Sequence, residues 1–182
     1  MIAVSRYYGY FMNLLRVLLL KMRNPCMNIS CIQRFRGKVI LNIKKEASVI
    51  LGRNIESNNS LYIKAVNGEL QIGDACFFNN NVSITAMNKV WIGNKCTFGN
   101  NVVIVDHDHD INAGRGFSVG EVYIGENVWV GANVVILKDT YIGNNAVIGA
   151  GSVVKGRIPE NSICVAKGSL AQIVGYRKEV EN

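Results

Sequence analysis

Proline and histidine each occur only twice in the 182 residues. So little proline argues against a disordered chain. Five cysteines, Cys26, Cys31, Cys76, Cys96 and Cys164, include no Cys-x-x-Cys pair, so no structural zinc site is read from them. Their odd number and irregular spacing give no disulfide framework. Cys76 and Cys96 read instead as small buried hydrophobes of a reducing compartment. No apolar run is long enough to cross a bilayer: Leu14 to Leu20 is short and is broken by Arg16. The N-terminal stretch lacks a strongly basic leader and a small-residue cleavage site, so no signal peptide is expected. Zinc-finger spacing, an RNP-like aromatic motif and a basic recognition helix are all missing, which sets nucleic acid aside as a partner. The net charge of +7 and pI near 9.3 then favour a phosphorylated cofactor or an anionic membrane surface.

What is abundant is glycine, 18 residues, in a recurring context. Apolar anchors recur every six residues, often followed by Gly. One series is Ile72, Phe78, Ile84; after a slip of two residues it continues as Ile92, Phe98, Ile104. It resumes as Ile124, Val130, Ile136, Ile142, Ile148, Val154, and a weaker early set is Leu51, Ser57, Ile63. Four residues after most anchors stands a second inward candidate: Cys76, Val82, Cys96, Val102, Val128, Val134, Ala146, Ser152. A period of six is not helical, and the Gly and Asn punctuation breaks any long strand. Short strands joined by corners satisfy it. Three sides close a triangular coil of about 18 residues, and coils stack about 4.8 Å apart. Gly and Asn occupy the corners because branched residues resist the conformations required there. The fold class is all-β: a parallel β-helix with a short N-terminal helix and one external loop. Its expected parts are an amphipathic helix and cap (1–45), the β-helix (46–168) and a C-terminal tail (169–182).

The external loop, 106–120, is marked by the gap between Ile104 and Ile124. Both histidines sit where it departs, in "VIVDHDHDIN". A loop inserted into a regular solenoid is a usual place for function, and histidine is the side chain suited to remove a proton near neutral pH. Asp106, Asp108 and Asp110 are candidates to orient an imidazole or are plain loop acids.

The run "VYIGENVWVGANVVILKDTYIGNNAVIGAGSVVKGRIPENSI" resembles the left-handed β-helix acyltransferases built from hexapeptide repeats, above all the galactoside, maltose and xenobiotic acetyltransferases and the sugar O-acetyltransferases of polysaccharide assembly. The resemblance covers roughly residues 46–175. It implies the left hand, a homotrimer with sites between prisms, and acetyl-CoA as co-substrate with no metal. It puts the catalytic base at His109, with His107 beside it as an acceptor-site residue or the alternative base. Asn79 resembles the family's acceptor-contacting asparagine, and the reading of a corner asparagine like Asn80 and Asn81 stands beside it. The family's acceptor-binding acid is replaced by Ala86-Met87-Asn88, which implies a different acceptor. Trp129 points outward by its place in the repeat; the resemblance puts it by the active site, and subunit packing is the other reading. Gly131, Ala132 and Ala150 match the small residues along the pantetheine arm. Lys155 or Arg157 takes the place of the family's 3′-phosphate lysine, or both are solvated corner charges.

The function expected from these residues is acetyl-CoA-dependent O-acetylation of a saccharide hydroxyl in capsule, O-antigen or exopolysaccharide biosynthesis, by direct transfer with a histidine base. No Cys or Ser stands next to a base as a nucleophile would. The alternatives are N-acetylation of an amino sugar, transfer to serine, and a non-catalytic binding β-helix. The first two resemble enzymes with longer N-terminal domains, and the third gives no reason for a histidine loop. A three-histidine zinc enzyme of the same fold is excluded by the histidine count. The basic, apolar residues 1–25 either contact a membrane peripherally, which suits a lipid-linked acceptor and a cytoplasmic protein at the inner membrane face, or pack on the β-helix or a sister subunit.

Overall fold

The computed structural model describes residues 2–109, 116–167 and 170–176. After one helix, Ile2–Arg23, the chain is built of short strands that pair in parallel with the strand one coil earlier. Three stacks of strands form the faces of a prism. The first face holds Met27–Ile29, Ser48–Leu51, Glu69–Ile72, Lys89–Ile92 and Glu121–Ile124. The second holds Gln33–Phe35, Ile55–Ser57, Phe77–Phe78, Thr97–Phe98, Trp129–Val130 and Val147–Ile148. The third holds Val39–Ile43, Leu61–Ala65, Val82–Ala86 and Val103–Val105. Val135–Ile142 begins on the third face and ends on the first, which joins the two into one sheet.

The six-residue anchors from Ile72 to Val154 are all buried, and so are the second inward positions from Cys76 to Ser152. Side chains therefore stack like on like through the interior. Phe78 and Phe98 lie parallel, ring centroids 4.9 Å apart. The corners carry positive φ at residues that are not glycine, among them Asn81 (59°), Asn101 (57°), Asn133 (57°) and Asn145 (58°). Asparagine tolerates this region better than most residues. Its amides also bond from coil to coil: Asn81 to Asn101 (3.2 Å), Asn101 to Asn133 (3.0 Å), Asn145 to Asn161 (2.9 Å).

Two expectations need correction. The coil is not a uniform 18 residues. Stacked corner residues are 21 apart at Arg53–Asp74, 20 at Asn80–Asn100, 18 at Glu126–Asn144 and 16 at Asn145–Asn161. The slip of two residues before Ile92 is the 20-residue coil: extra residues at the corner entering the first face, such as Met87 and Asn88, widen the turn without disturbing the faces. The prism also begins at Met27 and not at residue 46, because parallel pairing runs back to Met27–Ile29. This first coil keeps the six-residue spacing in Ile29, Phe35 and Leu41, but none of them is followed by Gly and a polar side chain fills one of its second inward slots. Buried Gln33 donates to the carbonyls of Ser30 (3.0 Å) and Gly52 (2.7 Å) and accepts from the Ile55 N–H (2.8 Å). At the other end, Leu170–Tyr176, expected as a tail, pairs antiparallel with Ser162–Lys167.

The helix ends where the Asn24 N–H and amide both bond the Leu20 carbonyl (3.1 and 2.9 Å) and Pro25 follows. It docks on the open end of the prism. Val17 is fully buried, Leu20 packs on the core, and Arg16 donates from Nη1 to the carbonyls of Phe35 and Gly37, both at 2.8 Å. Phe98→Ala should test the stacked core, lowering the unfolding free energy by about 3–5 kcal/mol in urea titration followed by circular dichroism.

Candidate functional site

The site begins where the repeat stops. After Ile104 the side chains alternate in, out, in, so Asp106 takes an inward slot. Its carboxylate is fully buried. On the regular coils a corner N–H meets a carbonyl of the next coil, as Val66 N–H meets Ala86 and Glu69 N–H meets Asn88. Here the chain leaves, and the carboxylate stands in for those carbonyls. Met87 N–H lies 2.8 and 2.9 Å from its two oxygens, and Asn88 N–H donates at 2.7 Å. The neck of the loop is closed by Gly120 N–H to the Asp106 carbonyl (2.7 Å) and by the Asn88 amide to the Gly120 carbonyl (3.0 Å).

Beyond the neck the loop is an antiparallel hairpin, His107–His109 against Phe117–Val119. His107 is partly covered. Its Nδ1 lies 3.3 Å from Asp106 Oδ1, and its ring meets Phe117 edge-on at 5.4 Å. His109 is exposed and tilts over the same phenylalanine at 4.8 Å. Lys138 fastens the hairpin to the prism by donating to Ser118 Oγ (2.9 Å), and its ammonium lies 3.9 Å from the Asp108 carboxylate. Of the three acids, Asp106 is thus the structural one, Asp108 is exposed, and Asp110 lies outside the described residues. The signal for Asp106 was its inward slot at the break in the repeat. Lys138 and Phe117 carried none, because only the folded hairpin brings them to the histidines.

The other expected residues gather at a different corner, the one joining the second face to the third. Asn79, Gly131 and Gly149 form one column there, and Asn80, Asn100, Ala132 and Ala150 the next. A Cβ on Gly131 would stand 2.6 Å from the Ala150 N, so coils close on each other here only without a side chain. The Asn79 amide oxygen accepts from Asn58 Nδ2 (2.9 Å) and Asn80 N–H (3.0 Å), so the residue does serve as a corner asparagine. Trp129 stands outward on the second face beside this corner, 47% exposed. The remaining two lie near the histidines' own corner. Lys155 is exposed, and the Arg157 guanidinium lies 4.4 Å over the Tyr141 ring at the end of a stack of Trp91, Tyr123 and Tyr141. A single chain therefore splits the predicted residues between two corners.

Cys76 and Cys96 present no nucleophile to a ligand. Hydrogen bonding with Cys96 and burial push the Cys76 thiol well above the usual thiol range, and both side chains are fully buried. Among the described residues no group of three or more His, Cys, Asp or Glu is placed to hold a metal ion.

Residues 121–156 match the bacterial transferase hexapeptide family, six repeats. The chain is also 34% identical over 138 residues to a putative lipopolysaccharide biosynthesis O-acetyl transferase, WbbJ, of Escherichia coli K12. That match covers 66% of this chain and 69% of the relative. The chain belongs to the hexapeptide-repeat acetyltransferases. It is 35% identical over 125 residues to the galactoside O-acetyltransferase of Lactococcus lactis, covering 66% of this chain and 60% of that relative. Beyond WbbJ it spans 55–60% of the length of the curated relatives it matches. The hexapeptide-repeat acetyltransferase of Vibrio cholerae solved with acetyl-CoA shares the fold, at TM-score 0.55, 20% identity, and 81% and 72% coverage of the two chains.

As the carboxylate sealing the hairpin neck, Asp106 should be costly to remove. Asp106→Ala strands the Met87 and Asn88 donors and should cost about 2–4 kcal/mol. Faster hydrogen exchange at those two amides would locate the damage.

Proposed function

We propose that this acetyltransferase moves the acetyl group of acetyl-CoA to a saccharide hydroxyl during assembly of a capsule, O-antigen or exopolysaccharide. It would act in the cytoplasm, on an acceptor that is lipid-linked or made at the inner membrane face. The observation carrying this reading is a pair of imidazoles on the hairpin that leaves an acetyltransferase solenoid, with a buried carboxylate against the first of them, His107; kinship to a lipopolysaccharide O-acetyl transferase supports the acceptor class.

In the reaction, His109 takes the acceptor proton as the hydroxyl oxygen attacks the thioester carbonyl. The tetrahedral oxyanion is met by backbone N–H groups or a polar side chain. Its collapse forms the ester and expels the CoA thiolate, which recovers the proton from the imidazolium. No acyl-enzyme intervenes. Asn79 and Trp129 hold the acceptor with His107, Gly131, Ala132 and Ala150 leave room for the pantetheine arm, and Lys155 or Arg157 pairs with phosphate. His107 is the alternative base, because it has the Asp106 carboxylate at Nδ1.

The working unit is a homotrimer. The hairpin's corner and the Asn79–Gly131–Ala150 corner meet only when a second prism lies beside the first. Phe117 and Val119, 46% and 48% exposed on the hairpin, suit that contact.

His109→Ala should lower turnover about 10²–10⁴-fold with folding and CoA binding intact. Loss with His107→Ala and not His109→Ala would exchange the two roles. Sedimentation equilibrium should give three chains per particle, and an active monomer would overturn the shared site.

A further inference from the structure

We infer that the helix-capped end of the prism is a docking face for an anionic lipid surface, with the outward stripe of the N-terminal helix as its apolar element and the first coil as its cationic element. The helix uses one side to close the prism, through Arg16, Val17 and Leu20. Capping asks nothing of the opposite side. Yet that side is apolar, with Phe11 (63% exposed), Leu14, Leu18 and Met22 (79%) at spacings of three and four, so they share one stripe. Lys21 stands exposed at one edge of it. This is the distribution of a helix lying in the plane of a membrane interface.

Charge names the partner. Residues 1–45 contain nine Lys and Arg and no acid; all 13 acids begin at Glu46 and outnumber the other eleven basic residues. The positive charge of the whole protein thus belongs to the helix and the first coil. There Arg34, Lys38, Lys44 and Lys45 are exposed, and so is Arg36, which pairs with Glu56 of the next coil. Between the helix and the prism end runs an open groove of about 650 Å³. Leu15, Leu19, Phe35 and Val39 give it apolar walls, and Arg23 and Lys38 stand at it as cations. A phosphate headgroup with its chains satisfies both. No helix among the described residues is long and apolar enough to cross a membrane, so the contact is peripheral.

The inference draws on the location in the proposed function and not on its chemistry. The full chain should co-sediment with phosphatidylcholine vesicles doped with phosphatidylglycerol, weakly with phosphatidylcholine alone, and less as salt rises. Leu18→Ser with Met22→Ser, both outside the capping contact, should lower partitioning at least tenfold, with the thermal melt and the turnover on a soluble acceptor unchanged. Lys21→Gln with Arg23→Gln should remove much of the salt-sensitive part. Equal binding to both vesicles, or undiminished binding of the Leu18/Met22 variant, would overturn the docking face. So would a change of oligomeric state in that variant without a change in vesicle binding, which would make the stripe a contact between copies of this chain. Vesicle binding with no acetyl transfer would count against the proposed function alone.

Discussion

Vertical register is the constraint on which everything else rests. Each inward side chain sits on its counterpart one coil away, and the corner N–H groups find carbonyl or side-chain oxygens in the coil before or after, mostly at 2.8–2.9 Å. A coil may lengthen from 16 to 22 residues, and to 32 where it carries the loop, but the columns must stay aligned. The corners make this possible by holding non-glycine residues at φ near 57–60°. That conformation costs roughly 1–2 kcal/mol for an ordinary L-residue. Asparagine reduces the cost, and the amide ladders between coils offset more of it.

The site follows from breaking that register once. A chain that leaves the solenoid strands the donors beneath it, and buried stranded donors are expensive. Asp106 removes the penalty by turning a carboxylate inward to receive two N–H groups. The same carboxylate reaches His107, so the feature that permits the departure also holds the first of the two histidines. Lys138 completes the anchorage from the coil after the loop.

The two ends of the prism are treated differently. At the C-terminal end an antiparallel strand covers the last parallel one. At the N-terminal end a helix does so, held by two carbonyls of the first coil. A strand presents one edge to its neighbour, while a helix leaves a second surface turned outward. That surface here is apolar and ringed by cations.

The inward columns were legible in the sequence because they obey a period: every anchor from Ile72 to Val154, and each second inward residue, could be assigned from spacing alone and is buried. The break at the histidines was legible for the same reason, as was the outward place of Trp129. The first coil was harder to see: Ile29, Phe35 and Leu41 keep the spacing, but no glycine follows them, and Gln33 fills a second inward slot through hydrogen bonds, which a hydrophobic pattern does not register. The role of Asp106 depends on donors 18 and 19 residues earlier in the chain, and the partners of the histidines, Phe117 and Lys138, meet them only across the hairpin. Sequence fixes which face of a strand a side chain takes, since that alternates locally. Which corner of the triangle a residue occupies depends on coil length summed along the chain. Counting three anchors to a coil separates Asn79, after Phe78, from His109, beyond Ile104; only the folded prism decided which side chains meet the histidines at their corner.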